Sequence, residues 1–216
     1  MSTITKSSTT RSRLPRGVIT DRIYRVLLSQ PDGTLSGYKI SKLADAHPYQ
    51  VSLFLHQLTD SHYAKGTRVT NYKALLHEWA KLRITTHSQT YVLTNEMEII
   101  NSANLPYALT TFRAETLVNH YLFPSKTELY VRTQDVGRWH DYFVQKHALV
   151  GGGNVKIKWY DDQVLFNSFE IEGNKIVSIP QLITDLLREG SVATQAAEMM
   201  MNNWKKFQEL NHKYRI

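Results

Sequence analysis

Near residue 84 the spacing of apolar residues changes, and with it the kind of element the chain can form. Upstream, apolar positions recur at intervals of three and four, the signature of one buried helix face. Downstream, short β-prone runs alternate with helical ones. Neither an all-helical nor an all-strand architecture accommodates both patterns. The expected fold class is therefore α+β: a helical domain over residues 17–83, a polar Thr-rich linker over 84–90, and a mixed α/β domain over 91–216. A length of 216 residues suffices for two cores of this kind.

From Gly17, the residues Ile19, Ile23, Val26 and Leu27 share one face, and the run stops at Pro31-Asp32-Gly33, a strong turn signal. Ser36 is placed to cap a short second helix that buries Ile40, Leu43 and Ala44 and turns Lys39 and Lys42 outward. Pro48 suits the first turn of a third helix, where its missing N–H costs nothing. Val51, Phe54, Leu55 and Leu58 form its core face, and Tyr49, Gln50, Ser52, Leu53 and His56 lie off that face. The polar stretch 62–71 carries Lys65 and Arg68 around Gly66 and predicts a small β-hairpin. A fourth helix follows from Asn71, with Tyr72, Leu75, Leu76 and Trp79 on one side. Three short helices followed by a basic hairpin is the order of a winged helix-turn-helix. In that arrangement the third helix enters the major groove and the hairpin holds phosphates.

In the second half, strands are expected at 107–111, 128–133, 155–160, 164–166, 169–171 and 175–178, the last two joined by a Gly173-Asn174 turn. Helices are expected at 96–103, 112–121 and 135–147. Another should start at Pro180 and stop at Gly190, and Ser191 is placed to cap a last helix with Ala193, Ala197, Met200, Trp204 and Phe207 in a stripe.

Charge sharpens the division. The net charge is +7, yet residues 1–88 hold 13 Lys or Arg against 5 Asp or Glu, and residues 89–216 hold 13 against 14. A basic segment joined to a near-neutral one points to a polyanion, here double-stranded DNA. Lys39, Lys42, Lys65 and Arg68 are the candidate phosphate contacts. Tyr49, Gln50, Ser52 and His56 are the candidate readers of base edges, with Gln50 suited to a bidentate pair with adenine. Residues 1–16, rich in Ser, Thr and Arg and free of acid, read as a flexible basic tail.

Other chemistries find little footing. Cysteine is absent, which removes disulfides and thiolate metal sites. No run of about 18 apolar residues exists, and no apolar stretch precedes Gly17, so the expectation is a cytoplasmic protein with no membrane partner. The nine histidines show no H-x-x-x-H or H-E-x-x-H spacing, so no metal and no cofactor is expected. Gly151-Gly152-Gly153 lacks the following Lys-Ser/Thr of a phosphate loop, and a flexible connection fits it better. The expectation is a non-enzyme. Its rivals are a nucleotide-binding transferase in the second domain and an RNA- or protein-binding module.

Several short motifs, taken in order, carry a family likeness. They begin with Lys39-Ile40-Ser41-Lys42-Leu43-Ala44-Asp45-Ala46, Val51-Ser52 and Leu75-Leu76-His77-Glu78-Trp79-Ala80. Pro106-Tyr107-Ala108-Leu109-Thr110, Leu129-Tyr130-Val131 and Gly153-Asn154-Val155 follow. Ile176-Val177-Ser178-Ile179-Pro180-Gln181-Leu182, Asp185-Leu186-Leu187 and Ala196-Ala197-Glu198 complete the series. Over roughly residues 17–201 the chain resembles the AbiEi-type antitoxins of abortive-infection toxin–antitoxin systems and the prokaryotic transcriptional regulators related to them. The basic tail and the long last helix depart from that pattern. The resemblance implies an N-terminal winged helix that represses its own promoter and a C-terminal α/β domain that carries antitoxin function. A cognate toxin protein is the partner it implies beside DNA, and a second copy of the chain is expected because one module buries only a modest area on DNA. Promoter occlusion, which needs no chemistry, is the mechanism expected of such a protein.

Overall fold

The computed structural model describes residues 17–124 and 126–213. The expected basic tail, residues 1–16, lies outside the described residues. The described chain is a mixed α/β structure with ten α-helices, a two-stranded sheet and a seven-stranded sheet.

The first four helices are α1 (Val18–Ser29), α2 (Gly37–Leu43), α3 (Pro48–Asp60) and α4 (Tyr72–Lys81). Their ends follow local chemistry. Ser36 Oγ accepts the backbone N–H of Lys39 at 3.2 Å, and Asn71 Oδ1 accepts that of Ala74 at 3.1 Å. Between α3 and α4 lies an antiparallel hairpin of β1 (Ala64–Lys65) and β2 (Arg68–Val69). Tyr24 organises the core here. Its ring meets Phe54 of α3 edge-on at 4.8 Å and stacks on Trp79 of α4 at 5.9 Å.

The large sheet contains β3 (His87–Val92), β4 (Tyr107–Thr110), β5 (Thr127–Val131), β6 (Leu149–Val150), β7 (Val155–Trp159), β8 (Phe169–Ile171) and β9 (Asn174–Ile176), in the order β6-β3-β7-β5-β4-β9-β8. The β5–β7 and β4–β9 pairs are parallel and the other pairs antiparallel. Period-two alternation splits its faces. On one face Tyr91 packs against Phe143 at 5.0 Å and Tyr107 against Trp139 at 6.0 Å, so α7 (Val136–Gln145) and α5 (Glu96–Ser102) cover it. The other face carries Thr110, Glu128, Tyr130, Lys156 and Lys158 and is turned toward α8 (Ile179–Glu189). Helix α8 packs against α1, α4, α6 (Thr111–Val118) and α9 (Val192–Asn202), so it touches both halves of the chain.

That junction is polar. Arg25, fully buried, donates to Gln181 at 2.8 Å and to Tyr160 at 2.7 Å, and also to Asp21 and Gln163. Asp21 in turn accepts from Trp79 Nε1 at 2.7 Å and from the Tyr160 hydroxyl at 2.9 Å. Arg22 grips Asp161 with two bonds, at 2.9 and 2.6 Å, and reaches Asp45 at 3.1 Å. Gln181 passes the network on to Asp185, which also accepts from Thr110 at 2.6 Å. Burial opposes the charge on Arg25. Asp21, Tyr160 and Asp161 together outweigh it and hold the guanidinium above its ordinary pKa.

Four local expectations need correction. His87–Val92, partly inside the expected linker, forms a strand, because five residue pairs with β7 hold it in the sheet although only Tyr91 is fully buried. The segment expected as a strand at 164–166 lies instead at a 3₁₀ turn, Asp162–Leu165, anchored by the buried Val164. Leu149–Val150 forms a short edge strand that alternation did not signal. The last helix is two: α9 ends at Asn202 and α10 runs Trp204–Lys213. At the break the Asn203 side chain donates to the Met199 carbonyl at 3.2 Å, competing with the helix ladder, and Trp204 stacks on Tyr72 at 4.4 Å. A fifth correction concerns Ser191, which makes no side-chain cap bond at the start of α9.

Candidate nucleic-acid interface

The surface built by α2, α3 and the β1–β2 hairpin begins with two tight connections. Asp45, in the left-handed region at φ 45°, turns the chain between α2 and α3. His47 and Gln50 then close a reciprocal cap. His47 Nδ1 accepts the Tyr49 N–H at 3.2 Å, and Gln50 Oε1 accepts the His47 N–H at 3.2 Å. Pro48 occupies the first turn, as its sequence position predicts. The hairpin is held against the Pro31-Asp32-Gly33 turn. The Val69 N–H donates to the Pro31 carbonyl at 2.8 Å, and Gly33 (φ 86°) lies so close to Arg68 that a Cβ there would sit 2.9 Å from the Arg68 Cβ.

All eight sequence-derived candidates are exposed. Lys39 and Lys42 lie on α2, with the Lys42 ammonium 5.2 Å from the ring centroid of Tyr38. Lys65 and Arg68 sit directly opposite each other across the hairpin. None of these four cations has a carboxylate partner among the described residues. Like charges at opposed positions of an antiparallel pair are destabilising, a cost that Asp32, bridged to Arg68 on its other side, offsets in part and an anion would relieve further.

The four α3 candidates do not share one flank. Ser52 and His56, with Tyr38 and Gly66, line a hollow of about 350 Å³ between α3, the start of α2 and the hairpin turn. Gln50 faces the opposite flank, where it lines a groove with Leu53, Ile19 and Ile23 of α1. Its carbonyl oxygen is occupied by the cap, which leaves the amide nitrogen as its outward-facing donor. Tyr49 projects from the N-terminal turn, 69% exposed. Tyr38, 64% exposed, was not among the candidates. Its place four residues before Lys42 on one helix is the signal that identifies it.

The triple glycine lies elsewhere and has a structural use. A Cβ at Gly153 would fall 1.8 Å from the Tyr91 carbonyl oxygen, so the glycine permits close approach to β3. Among the described residues no group of three or more His, Asp or Glu is arranged to hold a metal ion, and no helix is long and apolar enough to cross a membrane. No family model, curated protein or solved structure matches the chain.

Proposed function

We propose that residues 17–83 form a winged helix-turn-helix that binds double-stranded DNA, and that the protein is a non-enzymatic, promoter-occluding transcriptional regulator. In this reading α3 faces the major groove, with Ser52, His56 and Tyr49 toward base edges, and the β1–β2 hairpin is the wing. The sheet half mediates self-association or contact with a protein partner, the role an antitoxin would require. A single module of this size buries a modest area on DNA, so two copies on paired half-sites are the expected binding unit.

The observation that carries the proposal is the opposed Lys65–Arg68 pair, which with Lys39 and Lys42 gives four exposed cations without ion-pair partners among the described residues. A folded chain keeps such a surface at a cost unless an anion neutralises it. The test is duplex binding by the full chain between 50 and 200 mM salt. Four phosphate contacts give a slope of log K against log salt of about −3.6. Binding that is absent, or whose slope is near zero, overturns the proposal.

A further inference from the structure

We infer that the cleft between the end of α4 and the polar face of the large sheet is a binding site for a small organic anion, a carboxylate or a phosphate monoester. The cleft holds about 430 Å³, within the range of small-molecule sites. Its walls come from both halves of the chain. Leu82 and Ile84, just after α4, give an apolar side, and Tyr130 of β5 and Lys158 of β7 give the facing side.

Three features set the charge of its contents. Lys158 and Lys156 both sit on the buried Glu128, at 3.2 and 3.4 Å, so one carboxylate is shared by two ammonium groups and positive charge is left over. Burial works to raise the Glu128 pKa, but the two lysines prevail and keep it below the usual carboxylate value, hence ionised. Arg188 is held at the cleft by the Trp79 and Leu82 carbonyls, at 3.2 and 3.4 Å, with a quarter of its side chain exposed, and its charge is already matched by Asp185 at 3.6 Å and Asp21 at 3.7 Å. Arg83, exposed at the rim, has no ion pair among the described residues.

The acids of the cleft cancel only part of this. Asp185, nearly fully buried, accepts from Thr110, Gln181 and Tyr130, and its charge is matched by Arg188 at 3.6 Å. Glu189 is the one remaining carboxylate of the lining. Apolar walls, an aromatic ring under an ammonium at 5.1 Å and an unpaired guanidinium together select an anion that also carries an apolar or aromatic body. Such a ligand touches the end of α4 and the sheet at once. It would therefore change the affinity of the helical half for DNA, a consequence that rests on the function proposed above.

The experiment uses the full chain with salicylate, citrate and adenosine 5′-monophosphate, each compared with potassium chloride at equal ionic strength. The expected result is a saturable rise in Tm with at least one of them, roughly 5 °C or more at a hundredfold excess over Kd. Salicylate or citrate alone would place the ligand among carboxylates, and the nucleotide alone among phosphate esters. Arg83→Gln, a surface change that leaves the fold intact, should weaken that ligand at least fivefold, and Lys158→Gln at least tenfold. No shift beyond chloride with any of the three, or an undiminished shift in Arg83→Gln, overturns the site. Because this readout needs no DNA, a ligand that binds while DNA does not would sink the DNA-binding proposal and leave the site standing. Ligand binding with DNA affinity unchanged would overturn the coupling alone.

Discussion

The cations of the helical half fall into two groups with opposite surroundings. Arg22 and Arg25 point into the junction with the sheet half, where Asp21, Asp161 and the side chains around them give each guanidinium nitrogen a partner. Lys39 and Lys42 on α2, and Lys65 and Arg68 on the hairpin, are exposed, without carboxylate partners among the described residues. Both groups count equally in the basic excess of residues 1–88, yet only the second can meet a polyanion. Buried charges in a low dielectric have to be matched locally. Surface charges are screened and can remain unmatched until a partner arrives.

The contrast breaks most sharply at Arg25. Arg25→Met removes the cation between Asp21, Gln163 and Gln181 and leaves Asp21 buried beside weaker partners. The expected loss is about 3–5 kcal/mol of folding stability, read by urea denaturation of the full chain. A loss below about 1 kcal/mol would mean that the junction is not a matched charge network.

High pH strikes the buried phenols without any mutation. Burial pushes Tyr24 up to about 12, with the charge of Glu78 adding to it, and burial raises Tyr130 and Tyr160 in the same direction. Below pH 10 the Tyr24 phenol keeps its proton in both folded and unfolded chains, and pH has no leverage. Between pH 10 and about 12 the unfolded chain has released it and the folded chain has not, so stability falls as pH rises. Tyr24 alone should account for about 3 kcal/mol across that window. Tyr24→Phe should flatten the alkaline limb of the stability profile, and an unchanged limb would contradict the assignment.

Gln50 separates capping from recognition on α3. Gln50→Ala removes one arm of the reciprocal cap and should cost about 1 kcal/mol of stability. If its free amide also reads a base, affinity falls by a further 1–3 kcal/mol or so on the preferred duplex and much less on a scrambled one. Equal losses on both duplexes would assign Gln50 to the cap and leave recognition to the Ser52 and His56 flank.

The smallest effect tests the outer cations. Lys65→Glu turns an opposed like-charge pair into an opposite one and should stabilise the hairpin by a few tenths to about 1 kcal/mol. It should also weaken every duplex and reduce the salt slope by at least about one unit. Greater stability with unchanged DNA affinity would remove the hairpin from the interface.

Many of the elements were legible because their signals are local. Ser36 and Asn71 cap the helices they precede, Pro48 opens α3, Gly190 stops α8, and Gly173 turns the β8–β9 hairpin. The strands β3 and β6 escaped because a strand near a sheet edge keeps polar or exposed side chains, so alternation is weak there. For the candidate site, the exposure of all eight residues followed from helix periodicity and hairpin position. Their division between two flanks of α3 did not, because it depends on where α1 and the hairpin pack beside that helix.

The sequence by itself determined where helices start and stop, which faces they bury and where the positive charge is concentrated. Each of these follows from interactions within a turn or two of chain, or from composition. Only the tertiary structure decided which charges are spent inside. Asp21 and Arg25 look like an ordinary solvated pair four apart on a helix, until Tyr160, Gln163 and Gln181 arrive from more than 130 residues away. It alone also set Lys156 and Lys158 on one carboxylate beside the end of α4. Long-range pairing leaves no periodic trace in a sequence, because the partner's position is fixed by how the sheet and α8 pack.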